Sequence, residues 1–441
     1  MVGKYGLVAL GCVIAATAWY SETIASEDAN DGKVHITYWE KWSGFEGEAI
    51  REIVNDFNAS QDKIYVRLLS ISGIDQKTLM AASAGVPPDV AGLYGPNVPQ
   101  YADDGAVMPL EEFCKEGGIK ADQFVKAYWD VGVYGGHVWA LPTTPATTAL
   151  HVNTKLLRDA GFDKPPVTLE EMGEMAKKIT KREKGGKLSI TGFLPGEPGW
   201  WNWSWSQFFG GKLWDGKGKI TCNDEGSIKA MEWIQSYSKL YGVQSINSFR
   251  SGFGGFGSPQ NPFMSGTIAM EIQGVWMANF ITKFAPKLEW DAVPFPYPKD
   301  RPDLANTTHI DMDVLVIPKG AKHPKEAFEF IKYVVSQPAM EKLCRLHGKH
   351  SPLSNVSDNF YKTHPNKRIK LFYDLASSPN ATPPPKIGIW NEFSSELGAG
   401  IDKVTLLSAT PKQAMDYVVA RMQPRLDQYL KRREQRRKLG L

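Results

Sequence analysis

"KVHITYWEKWSGFEGEAIREIVNDFNASQDKIYVRLLSI", Lys33 to Ile71, reads as strand, helix, strand. Its opening, "KVHITYWEKW", is rich in β-branched and aromatic residues, the composition of a strand. Ser43 and Glu46 then have the spacing of a capping box, and Ile50, Ile53, Val54 and Phe57 fall on one helical face. "KIYVRLLSI" is a second strand, "GIDQKTLMAASAG" predicts a further helix, and "PPDVAGLY" follows a proline stop as a third strand. Strands alternating with helices build a parallel sheet covered by helices, so the chain is expected to be α/β.

Ligands of open parallel sheets bind beyond the C-terminal strand ends, which here carry Trp39 to Trp42 and Tyr94 to Asn97. Further on, "HVWALPTTPATTALHVN" offers two strand-like pieces broken by a polar Pro/Thr segment, suited to a crossing between lobes. "PPVTLEEMGEMAKKITKRE" is a helix with Thr168 as N-cap and Glu171 at the capping-box position. "EGSIKAMEWIQSYSKLY" and "HPKEAFEFIKYVVSQPAMEKLCRLHG" each predict an amphipathic helix. "TIAMEIQGVWMANFITKFA" predicts a strand entering a helix near Gly274, "DVLVIP" is a buried strand, and the basic tail ends a helix. At the N-terminus, Lys4, the apolar "GLVALGCVIAATAW" and a small-residue "TIA" at 23–25 predict a cleaved signal peptide over 1–25.

Composition narrows the function by exclusion. With 51 basic and 48 acidic residues the net charge is +3, which gives no reason to expect nucleic acid as a partner. Cys114, Cys222 and Cys344, the three cysteines beyond the leader, are too few for a disulfide framework. "GFGGFG" matches GxGxxG, but its loop-like flanks lack the strand and helix of a dinucleotide site. "CRLHGKH" puts Cys344, His347 and His350 at three-residue spacing, yet Gly348 is expected to end the helix before His350, so no metal is expected. Asp311 and Asp313 flank Met312 and suit ligand hydrogen bonding or hinge anchoring better than hydrolysis. There is no GxSxG, HExxH or GxxxxGK[ST], and no catalytic residue or cofactor is expected.

Aromatic residues stand out instead, 14 of them tryptophan. "GEPGWWNWSWSQFFGG", Gly196 to Gly211, holds four tryptophans in six residues, which cannot all face one core. If extended, Trp201, Trp203 and Trp205 would share a face; if helical, Trp201 and Trp205 would pair. Either way, the cluster divides between a cleft face and a packing face. A pyranose ring packs its C–H face on an aromatic plane while its hydroxyls seek fixed polar partners, so aromatic plates among Asn, Asp, Glu, Lys and Thr suit a carbohydrate cleft.

"GVPPDV", "ALPTTPATTALHVNTKLLRDAGFDKPPVTLEEM", "PFMSGTIAMEIQGVW" and "IPKGAKHPKEAFEFIKYV", in this order, resemble the extracellular solute-binding proteins of ABC importers, in the maltose-binding-protein-like carbohydrate group. The resemblance runs from about Val34 to the C-terminal helix. It implies a two-lobed periplasmic-binding-protein fold, each lobe a mainly parallel sheet flanked by helices, joined by a multi-crossing hinge. Lobe one is expected to hold residues 26–147 and 307–354, and lobe two 148–306 and 355–441. By position, Trp39, Lys41, Trp42, Tyr94 and Asn97 would line the first lobe. Glu197, Trp200, Trp201 and Trp203 would line the second, with Trp276 below the sugar. Thr147, Asp311 and Trp390 complete the expected ligand-binding set. The implied function is capture of a sugar or oligosaccharide in the periplasm by a monomer that delivers it to the membrane permease. A binder of another polar metabolite, such as a glycerophosphodiester, and a secreted carbohydrate-active hydrolase are the alternatives.

Overall fold

The computed structural model describes residues 31–255 and 258–438; the expected signal peptide lies outside the described residues. Strands β1 (Val34–Glu40), β2 (Ile64–Ser70) and β3 (Val90–Tyr94) alternate with helices Gly44–Ser60 and Ile74–Ser83 and pair in parallel, as the opening stretch predicts. The other main strands are β4 (Leu141–Asn153), β5 (Leu188–Phe193), β6 (Ile268–Gly274), β7 (Trp290–Val293) and β8 (Thr308–Val316). They lie in the order β2-β1-β3-β8-β4-β6-β5, with β7 also paired to β4.

The sheet is mixed rather than mainly parallel. Parallel pairing among these strands joins β1 to β2 and β3, and β5 to β6, whereas β8 and β4 run antiparallel to their neighbours. These two long strands cross between the halves. The Pro/Thr segment in "ALPTTPATTALHVN" does not interrupt β4, which runs unbroken for 13 residues. Its first half, through Thr147, pairs with β8, and its second half, from Thr148, pairs with β6 and β7. Pro142 and Pro145 both sit in the first half, where β4 is the last strand of its part of the sheet and the register with β8 shifts. An edge position beside an irregular register tolerates a residue without an N–H.

Two large apolar cores flank this junction. One gathers Ile36, Val54, Val90, Leu141, Leu315, Phe330 and Leu343, and reaches as far as Phe360. The other joins Leu150, Met172, Phe193, Trp205, Met231 and Met270 to Phe393, Val418 and Tyr429 of the C-terminal helices. The second core therefore needs chain from both sides of the crossing strands.

Local signals fared unevenly. Thr168 caps helix Leu169–Ile179: its Oγ1 accepts from Glu171 N at 3.3 Å, and Glu171 Oε2 accepts from Thr168 N at 3.2 Å. The single helix expected in "HPKEAFEFIKYVVSQPAMEKLCRLHG" is two, Pro324–Val334 and Gln337–His347. Pro338 belongs to the first turn of the second, where its missing N–H costs nothing. No helix among the described residues is long and apolar enough to cross a membrane.

Candidate functional site

The junction carries a group of buried charges. Lys41 directly follows β1, and Asp313 lies on β8 opposite Tyr94 of β3. Lys41 Nζ is 3.2 Å from Asp313 Oδ1 and 3.3 Å from Glu40 Oε1, with the Gly92 and Leu93 carbonyls at 3.5 and 3.4 Å. Lys349 Nζ is 3.2 Å from Asp313 Oδ2 and 3.7 Å from Glu46 Oε1, and donates to Thr144 Oγ1 at 3.3 Å. Thr144 in turn donates to Asp313 Oδ2 at 2.8 Å. The Tyr38 hydroxyl donates to Glu40, whose carboxylate lies over Gly92 where a Cβ would collide with it.

Mutual attraction overrides burial in the centre of this group. Burial alone would push the Asp313 carboxyl up, but Lys41 and Lys349 hold it far below the usual carboxylate range. Burial also works against the Lys41 ammonium, and Asp313 with Glu40 more than reverses that. Glu46 is raised by burial, against the pull of Lys349. Partly exposed Asp311 is pushed up to about 7, chiefly by burial, with Asp313 adding to the rise and the Met312 N–H at 2.7 Å opposing it.

Aromatic rings stand over these charges. Lys41 Nζ lies 5.0 Å from the Trp42 centroid and 4.8 Å from that of Tyr94, and those two rings meet edge to face at 5.8 Å. Lys349 Nζ is 5.2 Å from Trp42 and 5.6 Å from Trp276, so it links the aromatic groups of the two halves. Trp276 packs 5.6 Å from Trp201 and 6.2 Å from Trp200. Its ring lies over Gly274, where a Cβ would collide with it.

The tryptophan cluster is neither extended nor α-helical. Asn202–Phe209 is a 3-10 helix, whose three-residue period brings Trp205 and Phe208 inward together. Trp205 is 2% exposed and packs on Phe193, Trp233 and Phe295. Trp200 is 39% exposed, and Trp201 sits partly buried at the start of the helix. Trp203 meets His309 of β8 at 4.8 Å and Trp390 at 4.7 Å.

Lys41, Trp42, Tyr94, Asp311, Trp200, Trp201 and Trp276 thus converge on the junction. Several other expected residues sit behind it. Trp39 packs into an apolar cluster with Ala91 and Leu93, because it lies within β1 rather than at its end. Thr147 is fully buried and bound to Tyr128 and His350, and Trp390 is 5% exposed behind Trp203. Asn97 is buried and accepts from Asn391 Nδ2 at 2.9 Å. Glu197 is held by Arg250, and its carboxyl is raised by burial against that cation's pull.

Lys349 and Glu46 were missed. A lysine inside "CRLHGKH" carries no local sign that it will be buried. The capping-box spacing of Ser43 and Glu46 gave Glu46 another role, but Ser43 makes no side-chain cap and Glu46 turns to Lys349. In "CRLHGKH", Gly348 ends the helix with φ 66°, His347 bonds the Glu46 carbonyl, and His350 bonds Thr147. No cluster suited to a metal occurs among the described residues.

The chain is 22% identical over 374 residues to the diacetylchitobiose binding protein of Streptomyces coelicolor, covering 81% of this chain and 84% of that one. It is 26% identical over 257 residues to the sn-glycerol-3-phosphate-binding periplasmic protein of Brucella abortus, covering 54% and 56%. Among solved structures, CpMnBP1 with mannotriose bound superposes with a TM-score of 0.77 at 25% identity, covering 88% of this chain and 99% of that one. The fold is also that of a Listeria monocytogenes substrate-binding protein solved with cycloalternan, at a TM-score of 0.75 and 18% identity, covering 90% and 99%. Residues 43–341 match the family described as bacterial extracellular solute-binding protein, and the chain, a two-lobed α/β protein, belongs to that family.

Proposed function

We propose that this protein captures a sugar or oligosaccharide between its lobes and hands it, chemically unchanged, to the permease of an ABC importer. The observation that carries the proposal is the pair of aromatic groups, Trp42 with Tyr94 and Trp276 with Trp200 and Trp201, set around one buried polar floor. Such plates match the C–H faces of pyranose rings, and polar groups between them orient hydroxyls. Trp42, Tyr94, Asp311, Trp200, Trp201 and Trp276 are the proposed ligand contacts. Lys41, Asn97, Thr147, Glu197, Trp203 and Trp390 act behind them by holding the walls and floor. The diacetylchitobiose-binding relative and the mannotriose-bound structure support a saccharide ligand.

Lobe one is proposed as residues 26–147 with 307 to about 360, because Phe360 packs into its core. Lobe two takes the remainder of the mature chain. The protein works as a monomer in the periplasm after loss of residues 1–25. Thermal-shift screening against oligosaccharides, polyols and phosphodiesters tests the ligand class, with chromatography of the recovered ligand as the control for chemistry. Stabilisation by oligosaccharides recovered intact is the expected result. Stabilisation by phosphodiesters alone contradicts the ligand class, and sustained cleavage contradicts the transport role.

A further inference from the structure

We infer that the cleft floor admits uncharged saccharides and rejects anionic solutes, with Asp311 as the residue that sets the rejection. The inference rests on the saccharide reading above and narrows it. An ammonium group has three N–H donors. Lys41 is 5% exposed at its side chain and faces Glu40, Asp313 and the Gly92 and Leu93 carbonyls. Lys349, at 2%, faces Thr144, Asp313 and Glu46. Both ammonium groups are buried against these partners, Lys349 with Glu46 at the longer distance of 3.7 Å, so neither is presented to a phosphate or a uronate. On the second-lobe side, Arg250 is engaged by Glu197.

Asp311 occupies the opposite situation. Alternate residues of a strand share a face, which groups His309, Asp311 and Asp313 on β8. His309 touches Trp201 and Trp203 of the second-lobe wall, whereas Asp313 holds the two lysines of the floor. Asp311 therefore stands between wall and floor. It is partly exposed, accepts from the Met312 N–H, and has no ion pair among the described residues. A sugar hydroxyl can donate to this carboxylate. Above about pH 7, where this carboxyl is ionised, an anion meets its charge at close range while the Lys41 and Lys349 ammonium groups that attract it are buried and engaged elsewhere, and selectivity then comes from repulsion.

Calorimetry at about pH 8.5, where Asp311 is ionised, tests this with mannotriose, maltotriose and N,N′-diacetylchitobiose, a singly phosphorylated or uronic derivative of each, and sn-glycerol 3-phosphate. For the saccharide that binds, wild type is expected to prefer the neutral form by about 100-fold or more, and Asp311→Asn to lower that ratio at least about tenfold. Asp311→Ser is the second variant should the first fail to fold, and melting curves establish folding of both. The inference is overturned if wild type binds the anionic form within about tenfold of the neutral one. An unchanged ratio in a folded Asp311 variant overturns it too, and binding of the neutral saccharide by the wild type then leaves the saccharide reading standing. A wild type that binds none of the three saccharides defeats that reading itself, and this inference with it.

Discussion

Asp313 holds two buried ammonium groups at once, which makes it the residue on which the site's electrostatics turn. Replacing one partner of a buried ion pair leaves the other charge uncompensated, at a cost of about 3–5 kcal/mol. Asp313→Asn should destabilise the protein by that order, read as a lowered denaturation midpoint; a midpoint like the wild type's would show that the cluster is solvated. The tryptophans separate by the same logic. Trp205→Ala removes a core ring and should cost about 3–5 kcal/mol of stability with little direct effect on affinity. Trp276→Ala should weaken saccharide binding by about 1–3 kcal/mol and disturb melting less. Parallel calorimetry and melting distinguish the two, and equal affinity in wild type and Trp276→Ala would remove Trp276 from the site. The aromatic density was legible because four tryptophans in six residues cannot all face one core. Lys349 was not, because only tertiary packing brings it beneath Trp42 and Trp276.

Helices and their caps were the most readable elements, yet identical spacing led to two outcomes. Thr168 and Glu171 form their capping box, whereas Ser43 makes no side-chain cap and the Glu46 carboxylate faces the buried lysine. Thr168→Ala should therefore cost about 1 kcal/mol, and Ser43→Ala only a few tenths, in paired denaturant titrations. A loss at Ser43 equal to that at Thr168 would contradict the assignment. The local rule gave way where the site needed the carboxylate. Two features of the second half were hidden for other reasons. Continuity of β4 through two prolines depends on the edge position of its first half in that part of the sheet, which no local pattern records. The tryptophan run took a three-residue period, which places Trp205 and Phe208 in the core and leaves Trp200 and Trp201 outside it.

Across the whole molecule, burial has neutralised several histidines. His151, His309, His347 and His350 are each lowered to about 3, with burial the leading cause. The unfolded chain binds their protons near the ordinary value of about 6.5, so it takes up protons that the folded chain refuses. Stability from these groups is present above that value and is lost as pH falls toward about 3; Asp313, held low, adds to the loss below the usual carboxylate range. The raised carboxyls of Asp311, Glu46 and Glu197 act in the opposite sense over this range, so scanning calorimetry should show the wild-type melting temperature falling more steeply below about pH 6.5 than that of His151→Asn, and equal slopes would contradict these protonation states. The two-lobed plan itself was legible from the order of its motifs, while the mixed sheet was not, since the direction of the crossing strands is set by how the halves are joined. The central claim is that ligand is captured between lobes that close on it. Small-angle scattering during a saccharide titration tests this most directly. The account predicts a fall in radius of gyration that saturates with the calorimetric binding curve and moves to higher ligand concentration in Trp276→Ala. An unchanged radius at saturating saccharide would contradict it.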